Sequence, residues 1–128
     1  MAKTVLVVED DGPIAEMIEQ LLSSEGYAVH TVGSGPEALA FVGGEAPDLI
    51  TLDLALPDTD PAALLRELRA SAGQAPVVVI SAHPAQLDAE DRALIAAVIQ
   101  KPFDIDDMLA SIARVLSPGG DGPARPEA

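Results

Sequence analysis

Short β-branched runs alternate strictly with longer amphipathic stretches along this chain, and few folds accept that order. Five strand-like runs are present, at residues 4–8, 27–32, 49–52, 77–80 and 96–99. A helix-like stretch follows each run. The first begins at residue 12 and stops at Gly26, and the others lie at 35–42, 61–70, 84 to about 94, and 104–116. Because strands joined by helical crossovers lie parallel, this order predicts an α/β fold with one parallel sheet.

Local signals support both kinds of element. The first run, TVLVV at residues 4–8, is continuously apolar, which predicts a strand covered by helices on both sides. Gly-Pro pairs at 12–13 and 35–36 predict helix starts, since proline is tolerated in the first helical turn. Gly26 predicts the end of the first helix.

Length and tail composition predict a single domain. The chain has 128 residues, and two halves of that length would be too small to bury good cores. From Ser117 onwards the sequence SPGGDGPARPEA has no apolar periodicity and is rich in glycine and proline. We therefore expect one domain over residues 1–116 and a disordered tail or linker over residues 117–128.

Charge and composition exclude several classes of function. Asp and Glu number 21 against 7 Lys and Arg, a formal charge of −14, so direct binding to nucleic acid or to an anionic membrane surface is not expected. The absence of cysteine excludes disulfides and cysteine-ligated zinc. No apolar run approaches the ~20 residues of a membrane span, and no signal-peptide pattern is present, so we expect a cytoplasmic protein.

Polar side chains stand directly after four of the five predicted strands. They are Glu9, Asp10 and Asp11 after the first strand, Asp53 after the third, Ser81 after the fourth and Lys101 after the fifth. Ligands of open parallel sheets bind outside these carboxyl ends. Clustered carboxylates repel one another unless a hard divalent cation lies among them, and a lysine with a hydroxyl stabilises a phosphoryl group. The pattern predicts a Mg²⁺ and phosphoryl site rather than a dinucleotide site, which needs a glycine-rich turn after the first strand.

Four segments together carry a family resemblance: VLVVEDD at 5–11, PDLITLDLALPD at 47–58, PVVVISA at 76–82 and KPF at 101–103. In this order, each at a strand end, they resemble the receiver domains of two-component response regulators, the CheY-like superfamily. The resemblance covers roughly residues 3–116. It implies a flavodoxin-like, doubly wound fold, with a five-stranded parallel sheet of order 2-1-3-4-5 and helices on both faces.

The resemblance implies a role in a phosphorelay. Asp53 is the expected phosphoacceptor and takes the phosphoryl group from a sensor histidine kinase or a histidine phosphotransfer domain. Lys101 is expected to contact the phosphoryl oxygens, and Ser81 to donate a hydrogen bond to the acyl phosphate, although Ser81 alone could equally be a helix cap. Self-phosphorylation and autodephosphorylation are the only enzymatic activities implied, and an unknown output protein is the second partner. The peptide before Pro102 is usually cis in such domains.

The resemblance also implies a Mg²⁺ cofactor, held by Asp10, Asp53, Glu9 and the backbone carbonyl of Ala55. Plainer explanations exist for single residues. Asp53 alone would be a solvated carboxylate at a strand end, and the acids after the first strand could complement a helix dipole. Asp10 is the preferred ligand over Glu9, and Asp11 is expected to be a bystander.

Three departures from the family pattern affect signalling rather than chemistry. Val98 stands where receivers usually carry Tyr or Phe, three residues before the lysine, so the ring movement that reports phosphorylation has no side chain to perform it. Pro61 replaces a glycine in the loop after the third strand. The stretch 81–101 is about two residues shorter than usual, which shortens the region of the fourth helix.

These departures keep a second hypothesis open, a receiver-fold binding or dimerisation module with an atypical or absent phosphorylation switch. A third, an aspartate phosphatase with a DxDxT motif, needs aspartate at position 55, where the chain has Ala55. The cognate kinase, the pathway and the output partner cannot be named from the sequence. A homodimer, and the choice between a stand-alone receiver and a piece of a longer protein, also stay open.

Overall fold

The computed structural model describes residues 2–83 and 87–117. Within those residues, strands and helices alternate as the sequence predicts. The strands are β1 (Thr4–Val8), β2 (Ala28–Val32), β3 (Leu49–Leu52), β4 (Val77–Ser81) and β5 (Ala97–Gln100). The helices are α1 (Gly12–Ser24), α2 (Gly35–Gly44), α3 (Pro61–Ser71), α4 (Ala89–Arg92) and α5 (Ile105–Leu116).

All five strands form one parallel sheet of order β2-β1-β3-β4-β5, which confirms the predicted doubly wound topology. Most element bounds agree with the sequence prediction to within two residues. The second strand begins at Ala28 rather than at Tyr27, because the N–H of Tyr27 donates a hydrogen bond to the Leu22 carbonyl and closes the end of α1.

The sheet separates two hydrophobic clusters, one on each face. Alternate residues of the central strands point to opposite sides: Leu6 and Val8 of β1 join one cluster, and Val5 and Val7 join the other. The first cluster packs against α2 and α3, and the second against α1 and α5. Helices on both faces explain why β1, β3 and β4 are nearly continuous apolar runs.

Every helix begins at a short polar side chain that accepts a hydrogen bond from a backbone N–H of the first turn. Ser34 caps α2, and aspartates cap the other four helices: Asp11, Asp60, Asp88 and Asp104. Such caps satisfy N–H groups that have no partner within the helix. Part of the acidic excess is therefore structural. Asp11, expected to be a bystander, has a definite role.

The fourth helix is much shorter than predicted. The sequence suggested residues 84 to about 94, whereas α4 spans Ala89–Arg92, four residues. Asp88 lies in extended backbone and its carboxylate accepts a hydrogen bond from the N–H of Asp91, so the helix cannot begin earlier. Residues 84–86 lie outside the described part of the chain, as does the predicted tail from residue 118 onwards. No helix among the described residues is long and apolar enough to cross a membrane.

Candidate functional site

Two neighbouring strands bring the acidic residues together. Glu9 and Asp10 follow β1, and Asp53 follows β3, the strand beside it in the sheet. The backbone continues the sheet hydrogen bonding past the strand ends: the N–H of Asp53 donates to the Val8 carbonyl at 3.1 Å, and the N–H of Glu9 donates to the Val32 carbonyl at 3.0 Å. The positions of these carboxylates are therefore set by sheet geometry rather than by a free loop.

The three carboxylates are close enough to bind a single ion. One oxygen from each of Glu9, Asp10 and Asp53 lies within 4.8 Å of the others. Glu9 and Asp53 are buried, at 4% and 5% exposure, whereas Asp10 is exposed. Hard carboxylate oxygens on one open side suit Mg²⁺, which keeps several water ligands and takes only a few from protein. The donor set therefore fits the predicted cofactor.

Lys101 reaches this cluster from the end of β5, two strands from Asp53 in the sheet. Its Nζ lies 2.7 Å from Oε1 of Glu9 and 3.6 Å from Oδ2 of Asp53. Its own N–H donates to the Ser81 carbonyl at 2.9 Å, which holds the end of β5 against β4. The peptide that joins Lys101 to Pro102 is cis, as the family resemblance implied.

Burial and neighbouring charge perturb two groups of the site. Burial raises the pKa of Glu9, and the charge of Asp53 adds to that rise, while hydrogen bonds from Lys101 and from the N–H of Asp11 oppose it. Burial by itself lowers the pKa of Lys101, but the hydrogen bond to Glu9 and the charges of Glu9 and Asp53 outweigh it, so the pKa is raised. The lysine is thus firmly protonated and faces two carboxylates.

Ser81 ends β4, between the strands that carry Asp53 and Lys101. It is fully buried, and its Oγ accepts a hydrogen bond from the N–H of His83 at 3.1 Å. Ala55 is exposed, and its N–H donates to Oδ1 of Asp53 at 3.2 Å. The metal ligand role predicted for the Ala55 carbonyl remains a prediction.

Asp11 contacts Glu9 in a way that the sequence did not predict, although the sequence offered the start of a helix as one explanation for the acids after the first strand. Its N–H donates to Oε2 of Glu9 at 3.2 Å, and its carboxylate caps α1. One residue thereby joins the start of α1 to the buried carboxylate. An aspartate directly before a Gly-Pro helix start is the signal that could have indicated this cap.

An apolar groove of about 400 Å³ lies beside Lys101, and the sequence prediction missed it as well. Its other lining residues come from α1, from the end of β4 and from the segment that leads into α5: Ile14, Met17, Ala82, Pro102, Phe103 and Ile105. Met17 and Ile105 are large apolar side chains with 38% and 44% exposure. The segments that line the groove are far apart in sequence, so only the tertiary fold places them together.

Comparison with known proteins identifies the family of this chain. A model of the response regulator receiver domain matches residues 5–113. The chain belongs to this family. Its resemblance to receiver domains, inferred from four sequence motifs, is therefore confirmed, and the chain is a receiver domain of two-component response regulators.

Curated relatives of this receiver domain are longer proteins. The DNA-binding response regulator MtrA of Mycolicibacterium paratuberculosis is 35% identical over 132 residues, which cover 97% of this chain and 56% of MtrA. The DNA-binding transcriptional regulator NtrC of Salmonella typhimurium is 34% identical over 116 residues, which cover 88% of this chain and 24% of NtrC. The chain thus spans between a quarter and little more than half of these relatives. Their names describe DNA binding, and its absence in this chain stays a prediction.

One similar solved structure bears on the metal site. The receiver domain of the sensor histidine kinase PA1611 from Pseudomonas aeruginosa was solved with a magnesium ion coordinated in its active-site cleft. It superimposes on this chain with a TM-score of 0.80 at 28% identity, covering 91% of this chain and 98% of that one. In this chain the acidic cluster of Glu9, Asp10 and Asp53 lies at the carboxyl edge of the sheet.

Proposed function

We propose that this receiver domain is a Mg²⁺-dependent phosphoacceptor and that Asp53 is the residue phosphorylated. The observation that carries the proposal is the convergence of three carboxylates and one lysine: Lys101 lies 3.6 Å from Asp53, inside a cluster that also contains Glu9 and Asp10. A buried carboxylate with a fixed cation at its edge is a suitable nucleophile for phosphoryl transfer.

The transfer is a displacement at phosphorus. A carboxylate oxygen of Asp53 attacks the phosphorus of a phosphohistidine, the P–O bond forms, the P–N bond breaks, and the imidazole of the donor leaves. Oδ1 of Asp53 accepts a hydrogen bond from the N–H of Ala55 and Oδ2 faces Lys101. These two contacts orient the carboxylate before the donor arrives, which lowers the entropic part of the barrier.

Charge is the main obstacle, because an anionic phosphoryl group must approach two buried carboxylates. Mg²⁺, held by Glu9, Asp10, Asp53 and the Ala55 carbonyl, would supply the positive charge that offsets this repulsion. Lys101 supplies a second positive charge from the protein itself, beside Asp53, where the oxygens of the transferred phosphoryl group would arrive. The phosphoryl group is lost in a separate step, hydrolysis, in which a water oxygen bonds to phosphorus, the bond between phosphorus and the Asp53 oxygen breaks, the protons of water go to the released phosphate and to solvent, and the carboxylate of Asp53 is restored.

Ser81 is proposed to donate a hydrogen bond from its hydroxyl group to the acyl phosphate. The hydroxyl is buried at the adjoining strand end and already accepts a hydrogen bond from His83 N–H, which leaves its own proton available for a second partner. Through this hydrogen bond, phosphorylation of Asp53 would act on the segment that follows β4.

Receiver domains interact with histidine kinases, and we propose that the donor here is a sensor histidine kinase or a histidine phosphotransfer domain. The apolar groove beside Lys101, lined by Met17, Phe103 and Ile105, adjoins the phosphorylation site. A donor histidine must come within bonding distance of Asp53, so the donor protein must cover this neighbouring surface. Exposed apolar side chains there gain from burial against it.

One observation favours an atypical output. Val98 of β5 is 40% exposed and stands where receivers usually carry an aromatic ring, and α4 has only four residues. We propose that output occurs by protein–protein contact without the usual ring movement. The alternative, a module that only binds or dimerises, predicts no response to Mg²⁺ or to a phosphodonor. The identity of the output protein stays open, and so do the formation of a homodimer and the location in the cytoplasm.

The test is phosphorylation of the purified chain by acetyl phosphate, read by intact mass and by peptide mapping. We expect one phosphoryl group on Asp53, dependent on Mg²⁺ and absent in Asp53→Asn. The matched control is Asp58→Asn, because Asp58 lies in the same loop, is exposed and has a φ of 53°, a conformation that asparagine also accepts. Equal labelling of Asp53→Asn and the parent chain would contradict the assignment.

A further inference from the structure

The strand β2 forms one edge of the sheet and, among the described residues, pairs on one side only, with β1. The N–H of Ala28 donates a hydrogen bond to the Lys3 carbonyl, so the backbone groups of Ala28 point towards β1. Successive residues of a strand direct these groups to opposite sides, so those of Val29 and Thr31 point away from the sheet. The edge therefore offers N–H and carbonyl groups that another strand could pair with.

This edge lacks the features that usually prevent strand pairing. Its sequence is AVHTV, which contains no lysine, no proline and no acidic residue, and most of its side chains are β-branched. The parallel register with β1 runs through the whole strand without a bulge. Natural proteins commonly protect exposed edges with charge, proline or a bulge, because a regular edge can pair with another chain. The edge of β2 is therefore open to strand addition.

The outward backbone groups of β2 are arranged symmetrically about its central residue. That residue is His30, and Val29 and Thr31 flank it. When a second copy of β2 lies antiparallel about a two-fold axis at His30, Val29 of each copy is opposite Thr31 of the other. Such a pair exchanges both N–H···O bonds, and the two central residues form a non-hydrogen-bonded pair with Cα atoms about 4.5 Å apart. The edge is thus complementary to itself, as a two-fold interface requires.

Aromatic side chains lie beside this edge. His30 is exposed, and its ring centroid lies 4.5 Å from that of Phe41 in α2. Tyr27 directly precedes β2 and is half-buried. The chain has only one Tyr and two Phe, so most of its few aromatic residues are at this edge. Aromatic residues are enriched in protein interfaces, and side chains of directly opposed residues lie on the same face of a sheet, so an antiparallel pair of β2 strands brings two His30–Phe41 ring pairs together.

Charge distribution favours a second copy as the occupant of this edge. The chain has a formal charge of −14, so two copies repel wherever their carboxylates meet. Residues 27–36, which include β2 and both of its flanks, contain no acidic residue, no lysine and no arginine. A basic partner would find no carboxylate to pair with in this segment, whereas a second copy can meet it there without bringing acidic side chains of the two strands together.

We propose that this receiver domain forms a two-fold dimer in which the β2 strands of two copies pair antiparallel about His30 and join the two sheets into one. The acidic cluster and the groove beside Lys101 lie on other elements, so the dimer does not depend on the proposed function. The contact is a single short strand pair. The dimer is therefore weak, and its population depends on protein concentration.

Sedimentation equilibrium of the full chain, in EDTA and without a phosphodonor, measures the association. We expect a dimer fraction that rises with protein concentration up to about 1 mM and rises further with salt, which screens the repulsion between two acidic chains. A chain that stays monomeric over this range overturns the proposal. In the same samples, amide exchange should slow with concentration at Val29 and Thr31 and stay constant at Ala28, whose N–H is already bonded within the chain. Dimerisation with unchanged exchange at Val29 and Thr31 also overturns it.

Charge exchange at the central residue tests the two-fold axis. His30→Glu and His30→Lys each place two like charges directly opposite each other in the dimer, and each should weaken dimerisation by roughly tenfold or more. An equimolar mixture of the two variants should dimerise at least as strongly as the parent chain, because the glutamate of one copy then faces the lysine of the other. A mixture that dimerises no more strongly than the separate variants overturns the antiparallel arrangement.

Matched controls place the same charges at the opposite edge of the sheet. Val98→Glu and Val98→Lys change β5 at a residue that is 40% exposed, and neither should alter the dimer fraction. Loss of the dimer in Val98→Glu but not in His30→Glu overturns the proposal and assigns the contact to β5. Amides of β3 must stay protected in every variant, which shows that the fold is intact. Failure of acetyl phosphate to label Asp53 contradicts the proposed function instead, and the sedimentation and exchange measurements still decide the dimer.

Discussion

Removal of the Asp53 charge tests the electrostatics of the site most directly. Glu9 and Asp53 are buried, with carboxylate oxygens within 4.8 Å of each other. At an effective dielectric constant of about 20, two charges 4.8 Å apart repel by about 3.5 kcal/mol, which is the lower limit for two ionised carboxylates no farther apart than that. The 3.6 Å contact between Lys101 and Asp53 corresponds on the same basis to an attraction of about 4.6 kcal/mol.

These two contributions nearly cancel, so the remaining ones decide the sign. Asp53 is only 5% exposed, so its charge has lost most of its hydration, and Asp10 adds a weaker, screened repulsion. We therefore expect Asp53→Asn to raise the free energy of unfolding by about 1–2 kcal/mol when metal is removed with EDTA. The corresponding rise in Tm is roughly 3–10 °C.

Mg²⁺ should reverse the order of stability, so that the parent chain has a higher free energy of unfolding than Asp53→Asn. A ligand at 100 times its Kd stabilises the folded state by about 2.7 kcal/mol, and the parent chain keeps all the proposed metal ligands whereas Asp53→Asn loses one of them. The assay is urea unfolding of the parent chain, Asp53→Asn and the control Asp58→Asn, each in EDTA and in Mg²⁺. If Asp53→Asn is less stable than the parent in EDTA, or if Mg²⁺ stabilises both equally, the account of the site is refuted.

Two further predictions concern the groove and a helix cap. Met17→Glu puts a charge into the apolar groove and should slow transfer from a histidine-phosphorylated donor protein by roughly tenfold, while the rate with acetyl phosphate stays unchanged. The control is Gln20→Glu, at an exposed position of the same helix. Equal slowing of Met17→Glu with both donors would argue against docking of the donor protein at the groove. Asp104→Ala removes the cap of α5 and should cost about 1 kcal/mol in urea unfolding. Asp106→Ala, in the first turn of the same helix, should cost only a few tenths, and equal losses would refute a specific capping role.

The fold could be predicted from the sequence because burial on two faces leaves a strong pattern. TVLVV and VVVI are apolar without interruption, and such runs need helices on both sides of the sheet. The topology then determines which strand ends adjoin. The meeting of Glu9, Asp10, Asp53 and Lys101 follows from that order, since β1 and β3 are neighbours at the centre of the sheet.

Contacts that depend on how far a side chain reaches could not be predicted. The sequence predicted that Lys101 belongs to the site, but it did not predict that the shortest contact of Lys101 there is with Glu9, at 2.7 Å. The distances of individual atoms depend on rotamers and on burial, which a linear pattern does not record. For the same reason the burial of Asp91 could not be predicted. Its segment, DAEDR, has the composition of a solvated surface, and only the packing of α4 against α3 buries that one carboxylate.

The acidic composition therefore has three physical roles in this receiver rather than one. Aspartates are placed where a short acceptor is needed to start a helix, where the proposed cation would be held and, at Asp91, where a buried carboxylate pairs with Arg66 of α3. The single turn of α4 therefore contacts α3 through a pair of charges, whereas the side chains of β3 and β4 are apolar except at Thr51 and Ser81.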